Sequence, residues 1–421
     1  MLEESVRRRI VQAVEQRRDS VVRLLQDLVR LDSTTGREGE AQAYIARTLA
    51  ALGLEVDVFE PDVEKLKAHP AFRPMGSLDF KGRPNVVGVL KGDPQAHSLL
   101  LNGHVDTIPA VAGEWLEDPF SGSVKEGEVF GRGSSDMKSG LIALLAAVKI
   151  LVEAGLKPRG SVIIESVVDE EVSGFGTLGC VIRGYKADAG ICGETSDMEI
   201  MPAAIGRLWF TIEVRGKSAG IATRWLAVDA IEKAYKVVQA VWDLEKIRVN
   251  TLEHRLYPDN RMALPCSVNM IQAGSYPSAT PEVAVLQGSM GLMPYETIPS
   301  AEAQLRRQVS LICQADPWLC DHPPVVKFDG YAADGTEIPQ EHPLVSTLAE
   351  NFRAALGREP VYGGRTGAAD TRYLSNYGDT PTVIFGPGVT AKMHMVNETV
   401  PVQNLIEAVT VLALSIYDWC Q

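Results

Sequence analysis

The spacing of apolar residues changes its period several times along the chain, and each change marks an element. Val6, Ile10, Val14, Val21, Leu24 and Leu25 recur at helical spacing among charges and predict one amphipathic helix reaching Arg30. Thr35 or Gly36 is placed to cap a second helix over residues 38–52, which Gly53 stops. Residues 54–59 alternate as a strand, and residues 85–90 and 98–101 read as two more, the second running out at His104. Between them, residues 61–84 look like an excursion with a short helix. Residues 137–154, rich in Ala and Leu, predict a long helix packed on a sheet. The β-branched run 161–168 predicts a buried strand that ends in Asp169, Glu170 and Glu171, and 189–192 a short strand that delivers Glu194. Strands alternating with helices imply an α/β sheet, whose ligands gather beyond the carboxyl ends of the strands.

The style changes near Ala203. Residues 208–214 alternate strongly, 227–242 are helical, 267–273 and 282–289 are strand-like, and 300–315 are helical again. This order suits a compact α+β unit. A helix over 342–356, a strand over 382–385 and a closing helix over 402–419 then resume the earlier style. The chain therefore reads as a first domain made of residues 1–203 and 325–421, interrupted by an inserted domain over 204–324. A length of 421 residues also calls for more than one core.

Composition narrows the function. Apolar residues make up 45% and charged residues 23%, as in ordinary soluble proteins. The formal charge of -13 disfavours nucleic acid or an anionic membrane as partner and leaves small molecules or proteins. No apolar run is long enough to span a bilayer, and the first residues lack a signal-peptide pattern. Six dispersed cysteines in apolar company read as buried free thiols of a cytoplasmic protein.

The candidate chemistry lies in His104, Asp136, Glu171, Glu194 and His394, each at the end of an apolar run or in a short turn. Two imidazoles and three carboxylates form a ligand set for two divalent metals. Asp136, after Gly133-Ser134-Ser135, is a natural bridge, which gives each ion one His, one terminal carboxylate and a share of Asp136. Zn²⁺ suits the mixed nitrogen and oxygen donors, and Co²⁺ or Mn²⁺ is feasible. Asp106, two residues beyond His104, is expected to face the same side and to hydrogen-bond its other ring nitrogen or that of a neighbouring group. Three successive acids at a strand end are costly unless cations neutralise them. Their alternating directions assign Glu171 to metal and Glu170 to the general base. Such a centre acidifies water and polarises a carbonyl, while Glu170 carries a proton to the leaving nitrogen, which suits amide hydrolysis.

Gly103-His104-Val105-Asp106-Thr107, then Gly131 to Lys138 with Asp136 among them, then Asp169-Glu170-Glu171, resemble the M20 metallopeptidase family of deacylases and peptidases. These include acetylornithine deacetylase, succinyl-diaminopimelate desuccinylase and aminoacylase. The resemblance spans almost the whole chain. It implies a zinc-peptidase-like catalytic domain, with a mixed sheet flanked by helices, plus an inserted α+β lid domain through which two copies dimerise. It also implies that His104, Asp136 and Glu194 bind one zinc, that Asp136, Glu171 and His394 bind the other, and that Glu170 is the base. The stretch from Thr366 to Arg372 resembles the family's substrate loop and marks Asp370 and Arg372, with Arg372 a candidate for holding a substrate anion.

The inserted domain departs from the family pattern. Gly220 stands where relatives carry a carbonyl-binding histidine, and Ser289 where many carry an anion-binding arginine. Losing an oxyanion donor costs on the order of 3 kcal/mol of transition-state stabilisation. Lys217, Arg224 or Asn269 is a candidate replacement, or the substrate lacks a distal carboxylate. The leading expectation is a two-metal amidohydrolase acting on an N-acyl amino acid or small peptide-like metabolite. The alternatives are cyclisation or amide formation with the same metals in a specialised pathway, and a catalytically weakened metal-binding relative.

Overall fold

The structure is a computed structural model that describes residues 2–111, 113 and 115–421. It is a mixed α/β fold that divides into two compact units. The first comprises the chain up to Ala203, then Glu337–Arg365 and Ala369–Gln421; the second comprises Ala204–Thr336 and Thr366–Ala368.

The first unit is built on a mixed sheet. Its strands lie in the order Glu55–Phe59, Asn85–Leu90, Val162–Val167, Leu99–His104, Ala189–Cys192, Thr382–Ile384 and Ile200–Ala204, with Thr336–Glu337 and Tyr362–Arg365 beyond. The four strands in the middle, Val162–Val167 to Thr382–Ile384, are mutually parallel. Asn85–Leu90 and Ile200–Ala204 flank them antiparallel. Val162–Val167, Leu99–His104 and Ala189–Cys192 are buried at every position, as expected of parallel strands covered on both faces. Helices Ser139–Glu153 and Val402–Trp419, both largely apolar, pack against each other. All four parallel strands point their carboxyl ends the same way.

Two local expectations change. The amino-terminal helix is two helices, Glu4–Glu15 and Arg18–Val29. Arg17 leaves helical geometry at φ -110°, ψ 8°, and its guanidinium donates to the Ala13 carbonyl and to Glu153. Each half buries its own apolar face, so no Gly or Pro announces the break. The second helix, Gly39–Ala51, has Glu38 at its cap position and no side-chain cap from Thr35; the Thr35 hydroxyl donates instead to Asp106.

The second unit carries an antiparallel sheet in the order Cys266–Ala273, Val283–Leu292, Gly206–Arg215 and Val325–Lys327, with Ala332–Ala333 also on Gly206–Arg215. Helices Ala230–Thr251 and Ile298–Gln314 complete its core, which gathers Leu208, Phe210, Ile212, Val237, Val241, Leu286 and Leu305. This unit runs on to Thr336 rather than ending at residue 324, because Val325–Lys327 and Ala332–Ala333 pair with its long strand. Those strands are too short, and too close to prolines, to stand out as periodic segments.

Candidate active site and metal centre

The parallel strands deliver the chemistry. His104 is the last residue of Leu99–His104, so the strand itself, rather than a turn after it, fixes the imidazole. Asp169, Glu170 and Glu171 follow Val162–Val167, and Glu194 follows Ala189–Cys192. His394 lies in the segment after Thr382–Ile384, and Asp136 in the tight turn Ser134–Lys138 before helix Ser139–Glu153. Main chain sets the spacing of these pieces. A Cβ on Gly140 would collide with the Gly193 carbonyl, one on Gly386 with the Gly193 and Glu194 carbonyls, and one on Gly388 with the Ser135 carbonyl. The helix start, the Glu194 segment and the glycine-rich loop thus touch backbone to backbone.

His104 Nε2 lies 3.4 Å from Asp136 Oδ1, 3.6 Å from Glu194 Oε1 and 3.9 Å from Glu170 Oε2. His394 Nε2 lies 3.3 Å from Asp136 Oδ2 and 3.0 Å from Glu171 Oε2. The two carboxylate oxygens of Asp136 therefore face different imidazoles. Donor atoms of His104, Asp136 and Glu171, and of His104, Glu170 and Glu194, fall within 4.8 Å of one another, close enough for each set to share an ion. His104, Asp136 and Glu194 are buried, Glu170 and Glu171 are partly buried, and His394 is half exposed.

Of the two roles expected of Asp106, its carboxylate takes the second and serves neighbouring groups. The partner of His104 Nδ1 is the Asp106 backbone carbonyl at 2.9 Å, while the Asp106 carboxylate stays 3.6 Å away. A carbonyl accepts only, so Nδ1 carries the proton of that bond and Nε2 is the ring nitrogen that faces the cluster. The carboxylate accepts the Glu170 N–H at 3.1 Å, the Glu171 N–H at 3.3 Å and the Thr35 hydroxyl at 2.8 Å. The acids at 169–171 are also not a strand: Asp169 has φ 71°, and the chain turns there. The turn held by Asp106, not strand alternation, separates Glu170 from Glu171.

The electrostatics of the cluster suit bound cations. His104 Nε2 and Glu194 Oε1 are buried with no hydrogen-bond partner among the described residues, an arrangement that costs free energy unless something binds there. Burial raises Glu170 well above the usual carboxylate range and Glu171 to about 7. Hydrogen bonds to Asp136 and then Glu171 raise His394 to about 10. Burial opposes ionisation of Asp136, yet the His104 and His394 imidazoles beside it hold its carboxyl well below the usual range. Imidazole nitrogens and carboxylate oxygens, crowded and under-partnered, fit divalent metal ions.

Two supporting residues escaped sequence reasoning. The buried Glu398 carboxylate accepts N–H groups from Gly133, Ser135 and Asp136 at 3.1, 2.8 and 2.9 Å and pairs with Arg132 at 2.7 Å. It orders the turn that aims Asp136; its only signal was its place in the His394 segment. Arg365 pairs with Glu194 Oε2 at 3.0 Å. An arginine after Gly363-Gly364 carries no spacing that would reveal this.

The profile of peptidase family M20/M25/M40 matches residues 100–418. The chain belongs to this family. The M20 assignment makes it an amide-bond hydrolase with a candidate metal centre. Among curated relatives, it is 30% identical to N-formyl-4-amino-5-aminomethyl-2-methylpyrimidine deformylase of Bacillus subtilis, covering 97% of this chain and 96% of that one. The same-named protein of Halalkalibacterium halodurans is 28% identical, over 100% and 99%. A tripeptidase from Staphylococcus aureus shares the fold at TM-score 0.73 and 20% identity, covering 96% of this chain and 98% of that one. A dinuclear metal binding M20 peptidase of Bacillus subtilis does so at 0.66 and 16%, covering 96% and 99%.

The remaining M20-derived expectations fall in two places. Asp370 and Arg372 lie in a buried network of the first unit. Asp370 Oδ2 accepts the Thr177 hydroxyl at 2.6 Å, and Arg372 donates to the Ser173 carbonyl at 3.1 Å and stacks on Tyr373. Arg372 is 3% exposed, so it braces the turn after Glu171 rather than presenting an open anion site. Gly220, Asn269 and Ser289 belong to the second unit. Gly220 precedes the short helix Ile221–Leu226, and a Cβ there would meet nothing within 4 Å. Asn269 sits at a β-bulge and is exposed, and Ser289 pairs with Trp209 and Ser267.

Proposed function

We propose that this chain is a two-metal deformylase that hydrolyses the N-formyl amide of a small aminomethyl-pyrimidine or a closely related amine. The observation that carries the reading is Asp136, whose two oxygens face two imidazoles, in a chain alignable end to end with pyrimidine deformylases. A formyl group has no distal carboxylate, which agrees with Ser289 and Gly220 standing in place of an anion-gripping arginine and a histidine. The reading refines the N-acyl amino acid expectation to the smallest acyl group.

His104, Asp136 and Glu194 would hold one ion, and Asp136, Glu171 and His394 the other. Zinc suits the donors best, with cobalt or manganese as substitutes. Bound divalent ions supply Lewis acidity toward a carbonyl and a lowered water pKa. Asp106 fixes the His104 tautomer through its carbonyl and the Glu170 turn through its carboxylate. Glu170 accepts a proton at its carboxylate and returns it to the departing amine nitrogen. Glu398 holds the Asp136 turn in register.

The working form is proposed to be a cytoplasmic homodimer joined through the second unit, with no nucleic acid or membrane partner. Exposed Ile231, Tyr235 and Trp242 on one helix face, and Met270 and Ile271 on the outer strand Cys266–Ala273, support that contact. Six unpaired cysteines agree with a reducing compartment. Among the described residues, no helix is long and apolar enough to cross a membrane.

Formate release from N-formyl-4-amino-5-aminomethyl-2-methylpyrimidine, lost on chelation and restored by Zn²⁺, tests the reading. Faster cleavage of N-acetyl amino acids or of tripeptides than of this substrate would overturn it.

A further inference from the structure

Arg365 closes the strand Tyr362–Arg365, and its guanidinium is buried against the cluster. Nη2 lies 3.0 Å from Glu194 Oε2. Nη1 donates to the Thr195 carbonyl at 2.8 Å and to Thr195 Oγ1 at 2.7 Å. Nη2 also reaches Met393 Sδ at 3.9 Å, one residue before His394. One planar fork therefore spans the Glu194–Thr195 segment and the loop that carries His394.

The result is an asymmetric carboxylate. Glu194 Oε2 is occupied by Arg365 and by the Thr195 N–H at 3.2 Å. Glu194 Oε1 is buried, has no hydrogen-bond partner among the described residues and lies 3.6 Å from His104 Nε2. An untethered carboxylate can give a divalent ion one oxygen or both. This one has a single oxygen to give.

We propose that Arg365 is a positioning residue that restricts Glu194 to one-oxygen ligation, so that the ion beside His104 keeps a coordination position for water or the substrate carbonyl. The inference rests on the two-metal reading and concerns how the protein keeps that site open, which is what separates a catalytic metal site from a structural one. Lysine cannot substitute, because a point ammonium does not form a planar fork that binds Glu194 and Thr195 together.

The test uses the full chain loaded with Co²⁺, as wild type, R365Q and R365K, with metal content, visible absorption and formate-release kinetics measured on each. R365Q is expected to retain two ions, while its visible absorption weakens as Glu194 swings to two-oxygen ligation and the coordination number rises. Its kcat is expected to fall about 10–100-fold, with KM within about twofold of wild type. R365K keeps the charge and loses the fork, so its spectrum is expected to move the same way; it carries the test should R365Q not fold. A wild-type spectrum and kcat in either soluble variant overturns the proposal and leaves the two-metal reading standing. Fewer than two ions in the wild type removes the reading itself.

Discussion

The cluster at the carboxyl ends of the first unit's strands and the Gly220 segment of the second unit are built in opposite ways. In the cluster nearly every donor is buried and aimed: Asp106 holds the Glu170 turn, Glu398 the Asp136 turn, and Arg365 holds Glu194. Around Gly220 the chain is open. Ile221, Trp225 and Leu226 are all exposed, and a Cβ at Gly220 would touch nothing. Groups placed to hold metal and move a proton are over-determined by packing, whereas the open Gly220 segment is free to vary.

Substitutions that strike the cluster should therefore be far costlier than those at Gly220. The largest effect is expected for Glu170→Gln, which keeps shape and removes the base. Formate release should drop about 10²–10⁴-fold with both ions retained, measured by steady-state kinetics and metal analysis. A loss of metal instead would assign Glu170 to the ligands, a role that its 3.9 Å distance from His104 permits. Next comes Glu398→Ala, which removes the acceptor for three backbone N–H groups and the partner of Arg132. Breaking a buried pair of this kind costs about 3–5 kcal/mol, to be read from denaturant unfolding of the metal-free protein.

The pH response ranks third. In the metal-free protein His394 is raised to about 10 and Glu171 to about 7, so both hold protons near neutrality that a cation must displace. Metal affinity should strengthen from pH 6 to pH 8, by up to about tenfold per pH unit for each proton released. The metal-free fold responds with the opposite sign. A histidine raised from 6.5 stabilises fully below that value and loses its contribution as pH climbs through about 10. Calorimetric titrations in buffers of different ionisation enthalpy would count the protons, and a count of zero would contradict this account. The smallest effect is expected for Gly220→His. Stability should stay within about 0.5 kcal/mol and deformylation within about threefold, since the site is open and a formyl group leaves little to grip. A gain of orders of magnitude on acyl amino acids would show that the open segment, not the cluster, sets the reaction.

Much of the first unit was legible because parallel strands covered on both faces leave long apolar runs, and such runs end where ligands begin. Residues 189–192 and 402–419 match their elements to the residue. His104, Glu171 and Glu194 come together because each sits at or just beyond such an ending, while Asp136 comes from the turn before Ser139–Glu153 and His394 from the loop after Thr382–Ile384. What stayed hidden was set by contacts distant in sequence. Asp106 lies two residues from His104, yet its carboxylate serves a turn more than sixty residues away. Arg365 reaches back to Glu194 from a strand whose Tyr-Gly-Gly-Arg has no apolar period. The break at Arg17 is invisible because both half-helices keep their apolar faces in step.

The glycine contacts among residues 140, 193, 386 and 388 bear on how such a centre can be re-engineered. The gap between its two halves is gauged by peptide against peptide, with no side chain to trim or lengthen. Exchanging ligands would retune which ion is preferred, but not the backbone spacing between the segments that carry them. A single methyl at residue 140 would instead wedge the Asp136 helix away from Glu194, so a library aimed at new substrates does well to leave these four positions fixed and spend its diversity elsewhere.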